Sequence, residues 1–473
     1  MQPHIQKAPI TRREMLQQSC CGFGGLALAS LLSDNSFAAT DNPLAPRAPH
    51  FAPKAKRMIF LFMHGGPSHM DLFDYKPMLD RHDGDPLPFE KPKVQFESTG
   101  ALMKSPWEFK QHGQSGAWVS ELFPNIASVV DDLCFIKSMH GSNAAHGGAI
   151  MKMQTGSDTF VRPSMGSWIG YGLGTENQNL PSFITICPSY QHGGVRNYSS
   201  QFLPAVYHGT PIGETRMKTS DATIDFLNNP DVSSHVQREQ LAMLRQVHEN
   251  QLQQTGPDRE LEGRIQSFEL AFRMQTEAPE VMSIAGETEA TKKLYGLDDP
   301  TTKEFGHRCL MARRFSESGV RFVQATHGPD RKWDNHSDLL TSLPRNTREV
   351  DKPVAGLLKD LKSRGLLDET LVLWGGEFGR TPGSEGGRRD GRDHNPHGFT
   401  MFMAGGGVKP GFSYGETDDF GYYAAIDKVH VHDLHATILH ILGLDHLKLT
   451  YRVQGRDFRL TDVEGNVVHN VLA

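Results

Sequence analysis

Cysteine is scarce in this chain, with five in 473 residues, two of them adjacent at Cys20 and Cys21. Cys134, Cys187 and Cys309 are far apart and odd in number, so at most one bridge can form among them and a disulfide-built scaffold is excluded. No C-x-x-C pair occurs, which removes the usual cysteine signature of structural zinc. Basic charge is in deficit too: 49 Lys and Arg against 55 Asp and Glu give a net charge of −6. That balance argues against nucleic acid or anionic lipid as the main partner. The apolar stretch 21–32 is too short to anchor the chain across a bilayer. There is no G-x-S-x-G nucleophile elbow. The glycine-rich turns at 65–66 and 405–407 match neither dinucleotide nor P-loop spacing. Cys187-Pro188-Ser189-Tyr190-Gln191 fails the sulfatase pattern C-x-P-x-R, because proline comes one place early and glutamine stands where arginine belongs.

What is present begins with Arg12-Arg13, followed by the apolar run and by Ser36-Phe37-Ala38, which has small residues at −3 and −1. This order reads as a twin-arginine signal over 1–38, cut near Ala38. It leads us to expect the twin-arginine export machinery as a partner, and a periplasmic or extracellular protein that crosses the membrane already folded. Residues 39–55 carry four prolines and read as a linker, and 56–473 as one large domain.

Short apolar runs recur at 58–63, 133–136, 183–187, 320–325, 371–374 and 399–404, with helical patterns at 305–318 and 350–364 between some of them. Helix, glycine, then apolar strand occurs twice, through Gly319 and Gly365. That repeated unit predicts an α/β fold with a parallel sheet covered by helices on both faces. Residues 76–118 read as a long surface excursion, and 231–295, polar and helical in pattern, as a helical insertion.

His, Asp and Glu collect just beyond these apolar runs, where open α/β sheets bind ligands. His64, His69 and Asp71 follow the first run. Ser138, His140, Ser142 and His146 follow the second. His327, Asp330, Asp334 and His336 come after 320–325, Glu377 and Arg380 after 371–374, and Asp393, His394 and His397 just before 399–404. Imidazole with carboxylate suits zinc, manganese or iron, and carboxylates alone suit calcium or magnesium. The expected metal ligands are therefore drawn from His64, His69, Asp71, Asp334, His336, Glu377, Asp393, His394 and His397. His146 is the candidate acid/base group and Arg380 a candidate clamp for an anion. Ser142 or Ser138 is the candidate nucleophile, with a bound water as the alternative. The helical pattern around His430, His432, His435 and His440 reads as structural, with His432 or His435 able to support a metal ligand from behind.

At these residues the chain resembles domain-of-unknown-function family 1501, a sulfatase-like branch of the alkaline phosphatase superfamily. The stretches that carry the resemblance are HGGPSHMDLFDYKP (64–77), SMHGSNAAHGGAIMKMQTG (138–156), ARRFSESGVRFVQ (312–324), WDNHSD (333–338), LLDETLVLWGGEFGRTP (366–382), GRDHNPHGFTMFMAGGGVKPGFSYGETDDFG (391–421) and VHDLHATILHILGLDHLKLTYRVQGRDFRL (431–460). The resemblance implies an alkaline-phosphatase-like α/β/α sandwich with a mostly parallel sheet. It implies that Asp334 and His336 match the Asp/His pair of one metal site, that Glu377 stands where an aspartate ligates another, and that His394 is the late histidine. The chain departs from the superfamily pattern where His64, not aspartate, ends the first strand and where Phe378 follows Glu377. The expected function is an exported hydrolase of phosphate or sulfate esters, acting on a small-molecule or polysaccharide ester. It would depend on divalent metal (zinc, calcium or manganese) and work without formylglycine. The alternative is a non-catalytic exported protein that keeps the fold and binds polysaccharide or a cell-surface partner.

Overall fold

Runs of consecutive apolar residues are stable as strands only when both faces of the sheet are covered, and the central sheet of this protein is built from such runs. In the computed structural model, residues 42–90, 99–255, 259–329, 331–386 and 389–473 are described. The expected signal segment 1–38 and Asp330 lie outside them. The nine strands of the sheet are β1 (Arg57–Met63), β2 (Leu133–His140), β3 (Phe183–Ile186), β4 (Thr210–Ile212), β5 (Phe322–His327), β6 (Thr370–Gly375), β7 (Phe399–Ala404), β8 (Phe412–Tyr414) and β9 (Val429–His430). Their order is β8-β2-β7-β6-β1-β5-β3-β4, with β9 also paired to β2.

Strand β1 sits at the centre, parallel to β5 through Ile59↔Val323 and to β6 through Ile59↔Val372. Every residue of β1, β3, β5, β6 and β7 is buried, so both faces are covered. The fold is thus an α/β sandwich around a mostly parallel sheet. Strand β7 alone runs against the others, antiparallel to both β6 and β2. Its N-terminal end therefore lies at the edge where its neighbours end, which brings residues 391–398 to the same rim as the loops that follow β1, β2, β5 and β6.

The main helices are α1 (His146–Thr155), α2 (Met165–Leu173), α3 (Ser234–Thr255), α4 (Arg259–Met282), α5 (Lys303–Glu317), α6 (Leu339–Ser363) and α7 (Val431–Ile441). Helix α5 packs on α6 and on strands β1 and β5. It stops at Gly319, whose φ of +94° suits glycine, and the chain then enters β5. Helix α6 begins at Leu339, a full three turns before the pattern at 350 predicts, and continues through Pro344 and Pro353. Buried Leu343, Val350, Val354, Leu357, Leu358 and Leu361 hold it in place despite the two missing backbone donors. The stretch 76–118 is not all loop: Thr99–Leu102 pairs with Gly383–Glu385, and Phe109–His112 with Ala117–Ser120. No helix among the described residues is long and apolar enough to cross a membrane.

Candidate metal centre

Five chain segments bring polar side chains to the rim. His64 directly follows β1 and His146 opens α1 after β2. Asp334 and His336 lie between β5 and α6, and Glu377 follows β6. Arg380 and His394 face each other across the short antiparallel pair Gly379–Arg380 and His394–Asn395. Gly65 allows the first segment to meet the third, and Gly66 allows it to meet the fourth. A Cβ on Gly65 would come within 2.7 Å of the Asp334 backbone nitrogen, and one on Gly66 within 2.6 Å of the Phe378 ring.

Around Asp334 the donors converge. One ligand atom each from His146, Asp334, His336 and His394 lie within 4.8 Å of one another. Asp334 Oδ1 is 2.8 Å from His336 Nε2 and 3.0 Å from His394 Nε2, and Oδ2 is 3.0 Å from His146 Nε2. The two rings of His336 and His394 also meet, Nε2 to Nε2, at 2.9 Å.

The outward nitrogen of each ring is anchored. His146 Nδ1 lies 2.7 Å from Glu377 Oε1, His394 Nδ1 lies 2.6 Å from the Ala144 carbonyl, and His336 Nδ1 bonds to Glu385. A carbonyl can only accept, so His394 carries its proton on Nδ1 and turns a lone pair on Nε2 toward the carboxylate of Asp334. His146 Nε2 is buried and lacks a hydrogen-bond partner among the described residues, although Asp334 Oδ2 is close by. Metal-binding histidines show this construction, with the outer N–H given to a carboxylate or carbonyl and the inner nitrogen aimed at the ion. A tetrahedral ion with bonds of about 2.1 Å spaces its ligands about 3.4 Å apart. The contacting pairs, at 2.8–3.0 Å, therefore need to open by only about 0.5 Å to accept one.

Electrostatics follow from the same contacts. Burial alone would raise the pKa of Asp334. The Arg380 charge and the imidazoles of His146, His336 and His394 outweigh it and hold the carboxyl far below its usual range. Burial lowers His394 to about 4, with Asp334 opposing and Arg380 reinforcing. For His146 and His336, burial is overcome by bonds to carboxylates, and both are raised.

Several expected residues take other positions. Glu377 is fully enclosed; it accepts the Gly65 N–H at 3.0 Å and orients His146. Arg380 is 1% exposed, and its guanidinium is turned inward. It donates to the carbonyls of Gly65, Gly66, Trp333 and Arg392 and to Asp334 Oδ1 at 2.8 Å, so it positions Asp334 instead of facing an anion. Asp71 forms a two-pronged pair with Arg392, Nε to Oδ2 at 2.8 Å and Nη2 to Oδ1 at 3.1 Å, with no exposure on either side chain. His69 bonds the Gly421 carbonyl at 2.8 Å, and His397 packs against Tyr422 and Tyr423. Ser142 donates to Asp158 and Ser138 to the Asp427 carbonyl. Asp393 belongs to a neighbouring group with His336 and Glu385, and its Oδ2 is buried without a hydrogen-bond partner among the described residues. His64 is buried 5.7 Å, ring to ring, from His192.

Three residues join the site that the sequence did not single out. His192, beyond β3, stacks on His146 at 5.2 Å and is lowered to about 4 by burial and then by His146 and His64. Glu385 anchors His336. Arg331, its side chain 46% exposed, stands 3.6 Å from Asp334 Oδ2 at the solvent side. Phe378 forms an apolar wall, its ring 4.9 Å from His146 and 4.5 Å from His394.

Residues 55–472 match a family model described as "Protein of unknown function (DUF1501)". No curated protein matches the chain. Among solved structures, similarity is found to the lipoteichoic acid synthase LtaP from Listeria monocytogenes (10% identity, TM-score 0.36, 88% of this chain and 78% of that one). It is also found to PsFucS1 sulfatase from Pseudoalteromonas sp. (12%, 0.33, 83% and 68%) and to a TAB5 alkaline phosphatase mutant with Mg bound (11%, 0.34, 83% and 99%).

Proposed function

The chain belongs to the DUF1501 family, and from that premise and the geometry of its rim we propose that it is a metal-dependent hydrolase of phosphate or sulfate esters. The observation that carries the proposal is the convergence of three anchored imidazoles on the carboxylate of Asp334. Such a donor set suits zinc, manganese or iron, whereas calcium prefers an all-oxygen shell. A divalent cation there would supply Lewis acidity, polarising an ester oxygen and making a water acidic enough to ionise near neutral pH.

The chain's own residues divide the remaining work. His146, His336 and His394 hold their inner nitrogens toward the centre because Glu377, Glu385 and Ala144 fix their outer ones. Arg380 fixes the carboxylate of Asp334 from behind. Phe378 keeps water from one side and so strengthens every charge interaction within. Arg331, exposed at the mouth, offers a guanidinium to the free oxygens of an anionic substrate. His192, neutral and half-buried beside His146, offers a lone pair to a proton leaving the attacking water. Ser138 and Ser142 are tied to other partners, which supports water as the nucleophile.

The test is turnover of aryl phosphate monoesters, phosphodiesters and sulfates by protein loaded with zinc or manganese, beside His394→Ala with its circular dichroism unchanged. Hydrolysis of at least one class, lost in the variant, is expected. A folded, metal-loaded protein inactive on every class would sink the proposal and favour a binding role.

A further inference from the structure

The rim of the sheet carries a second concavity besides the Asp334 centre. It is a cavity of about 520 Å3 beyond the ends of β4 and β5, walled by the first two turns of α5 and by Glu349 of α6. Strands β4, β3 and β5 are parallel, so their C-terminal ends share the edge at which the Asp334 centre lies. The size suits a small ligand or one unit of a longer one.

Its chemistry is basic. Among the described residues that line it, Arg216, Lys218, Arg308 and Lys332 are cationic, and only Glu304 and Glu349 are anionic. His327 on the wall is kept neutral near pH 7 by burial. The chain as a whole carries −6, so a positive excess around one cavity runs against the average. The internal bonds show which cations are committed. Glu349 bonds Lys332 and His327. Arg308, 5% exposed, donates to the carbonyls of Thr326 at 2.7 Å and Thr215 at 3.3 Å and to the Thr219 hydroxyl at 3.1 Å. Glu304 Oε2 accepts the Thr219 backbone N–H at 2.8 Å. One buried guanidinium and one carboxylate thus fasten both ends of segment 215–219 to β5 and α5. That segment carries Arg216 and Lys218, both exposed. Cations presented from a turn held this firmly lower the ordering cost of binding an anion there.

The cavity is joined to the Asp334 centre. Arg331 stands 3.6 Å from Asp334 Oδ2 at the solvent side, and the next residue, Lys332, lines the cavity. Trp333 Nε1 donates to His327 Nδ1 at 2.9 Å on the cavity wall, and the Trp333 carbonyl accepts from Arg380 at 3.2 Å behind Asp334. Lys332 and Asp334 are two residues apart, so their Cα atoms lie within about 7 Å of each other. Two anionic groups on one molecule can therefore occupy the centre and the cavity together.

We propose that this cavity is a second anion subsite and that the substrate is a polyanion, with one phosphate or sulfate at the Asp334 centre and a neighbouring one held by Arg216 and Lys218. The substrate class rests on the hydrolase reading above, whereas the anion site stands on its own contacts.

The experiment is isothermal titration of full-length protein, stripped of metal so that no probe is chelated or consumed. The probes are tripolyphosphate and dextran sulfate, beside orthophosphate and neutral dextran. Wild type is compared with Arg216→Ala/Lys218→Ala and with Lys359→Ala/Lys362→Ala, which removes the same charge from the end of α6 away from the rim. Wild type should bind at least one polyanion about 10-fold or more tighter than orthophosphate, and the stronger of the two tells whether the held group is phosphate or sulfate. The Arg216→Ala/Lys218→Ala variant should lose at least about 10-fold in affinity. Its fall of log K with log salt should be shallower by about 2, one for each cation removed. The Lys359→Ala/Lys362→Ala variant should bind as wild type does. Wild type that binds neither polyanion more tightly than orthophosphate, or two double variants that bind alike, overturns the proposal. Polyanion binding that depends on Arg216 and Lys218, in a protein that hydrolyses no ester, sinks the hydrolase reading and leaves the anion site; ester hydrolysis without such binding does the reverse.

Discussion

Replacing Asp334 by asparagine is the sharpest perturbation of the main centre, because one carboxylate serves three imidazoles and a buried guanidinium. In metal-free protein the change leaves Arg380 without its counter-charge at 1% exposure. Breaking a buried ion pair costs about 3–5 kcal/mol. Arg380 still donates to four backbone carbonyls, which places this case at the low end, about 3 kcal/mol. The metal-dependent effect is separate and larger in consequence. At an ion concentration about 100 times Kd, binding stabilises the wild type by about 2.7 kcal/mol. If the lost anionic ligand weakens binding about 100-fold, the same concentration stabilises the variant by only about 0.4 kcal/mol. Scanning calorimetry with and without zinc reads both numbers: the metal-free midpoint falls, and the zinc-induced shift nearly vanishes. A variant with an undiminished zinc-induced shift would refute the assignment of Asp334 as a ligand.

Two further outcomes follow from the surrounding contacts. Asp71→Asn and Arg392→Leu should each destabilise by about 3–5 kcal/mol, because each strands a fully buried charge. The double variant should lose much less than the sum, and additivity within about 0.5 kcal/mol in denaturant titrations would contradict the pairing. Glu349 is pushed upward by burial but pulled down to about 2 by its bonds to His327 and Lys332, from the usual 4.5. Burial keeps His327 neutral near pH 7, so Lys332 carries the positive charge of this cluster. A depressed carboxyl stabilises the fold above its unfolded pKa and loses that contribution as pH falls from about 4.5 toward 2. Solvent screening limits the effect to on the order of 1–2 kcal/mol. Glu349→Gln should flatten that part of the stability–pH curve, and an unchanged acid limb would count against it.

Six of the nine strands, β1, β2, β3, β5, β6 and β7, were legible in the sequence because each holds a short buried apolar run, and runs such as 58–63 and 399–404 need no tertiary information to be seen. Strands β4, β8 and β9 are two or three residues long and partly exposed, and carry no such signal. The direction of β7 was not legible, since a buried run looks the same in either sense. Its antiparallel course nonetheless delivers His394 to the rim, because residues just before an antiparallel strand share the edge where parallel strands end. The start of α6 was hidden by Pro344, which reads as a break until packing overrides it.

Placement beyond strand ends gathered Asp334, His336, His394, His146 and Glu377, but residue type alone does not say which carboxylate faces a metal and which faces a cation of the chain. Asp71 and Arg392 are 321 positions apart and pair through geometry that only the fold supplies. Arg380 turns inward for the same kind of reason: the carbonyls of Gly65 and Gly66 lie beside it once β1 and β6 are neighbours. His192 also follows a strand, but it stands in a segment (187–199) with no Asp, Glu or second His beside it, so only the fold brings it to the other imidazoles.

The central claim is that the three imidazoles and Asp334 grip an ion. Anomalous diffraction at the zinc edge, from crystals grown with zinc, tests it most directly. The account predicts a peak about 2.0–2.2 Å from Nε2 of His146, His336 and His394 and from a carboxylate oxygen of Asp334. A fully loaded crystal with no anomalous density among those four side chains would contradict it.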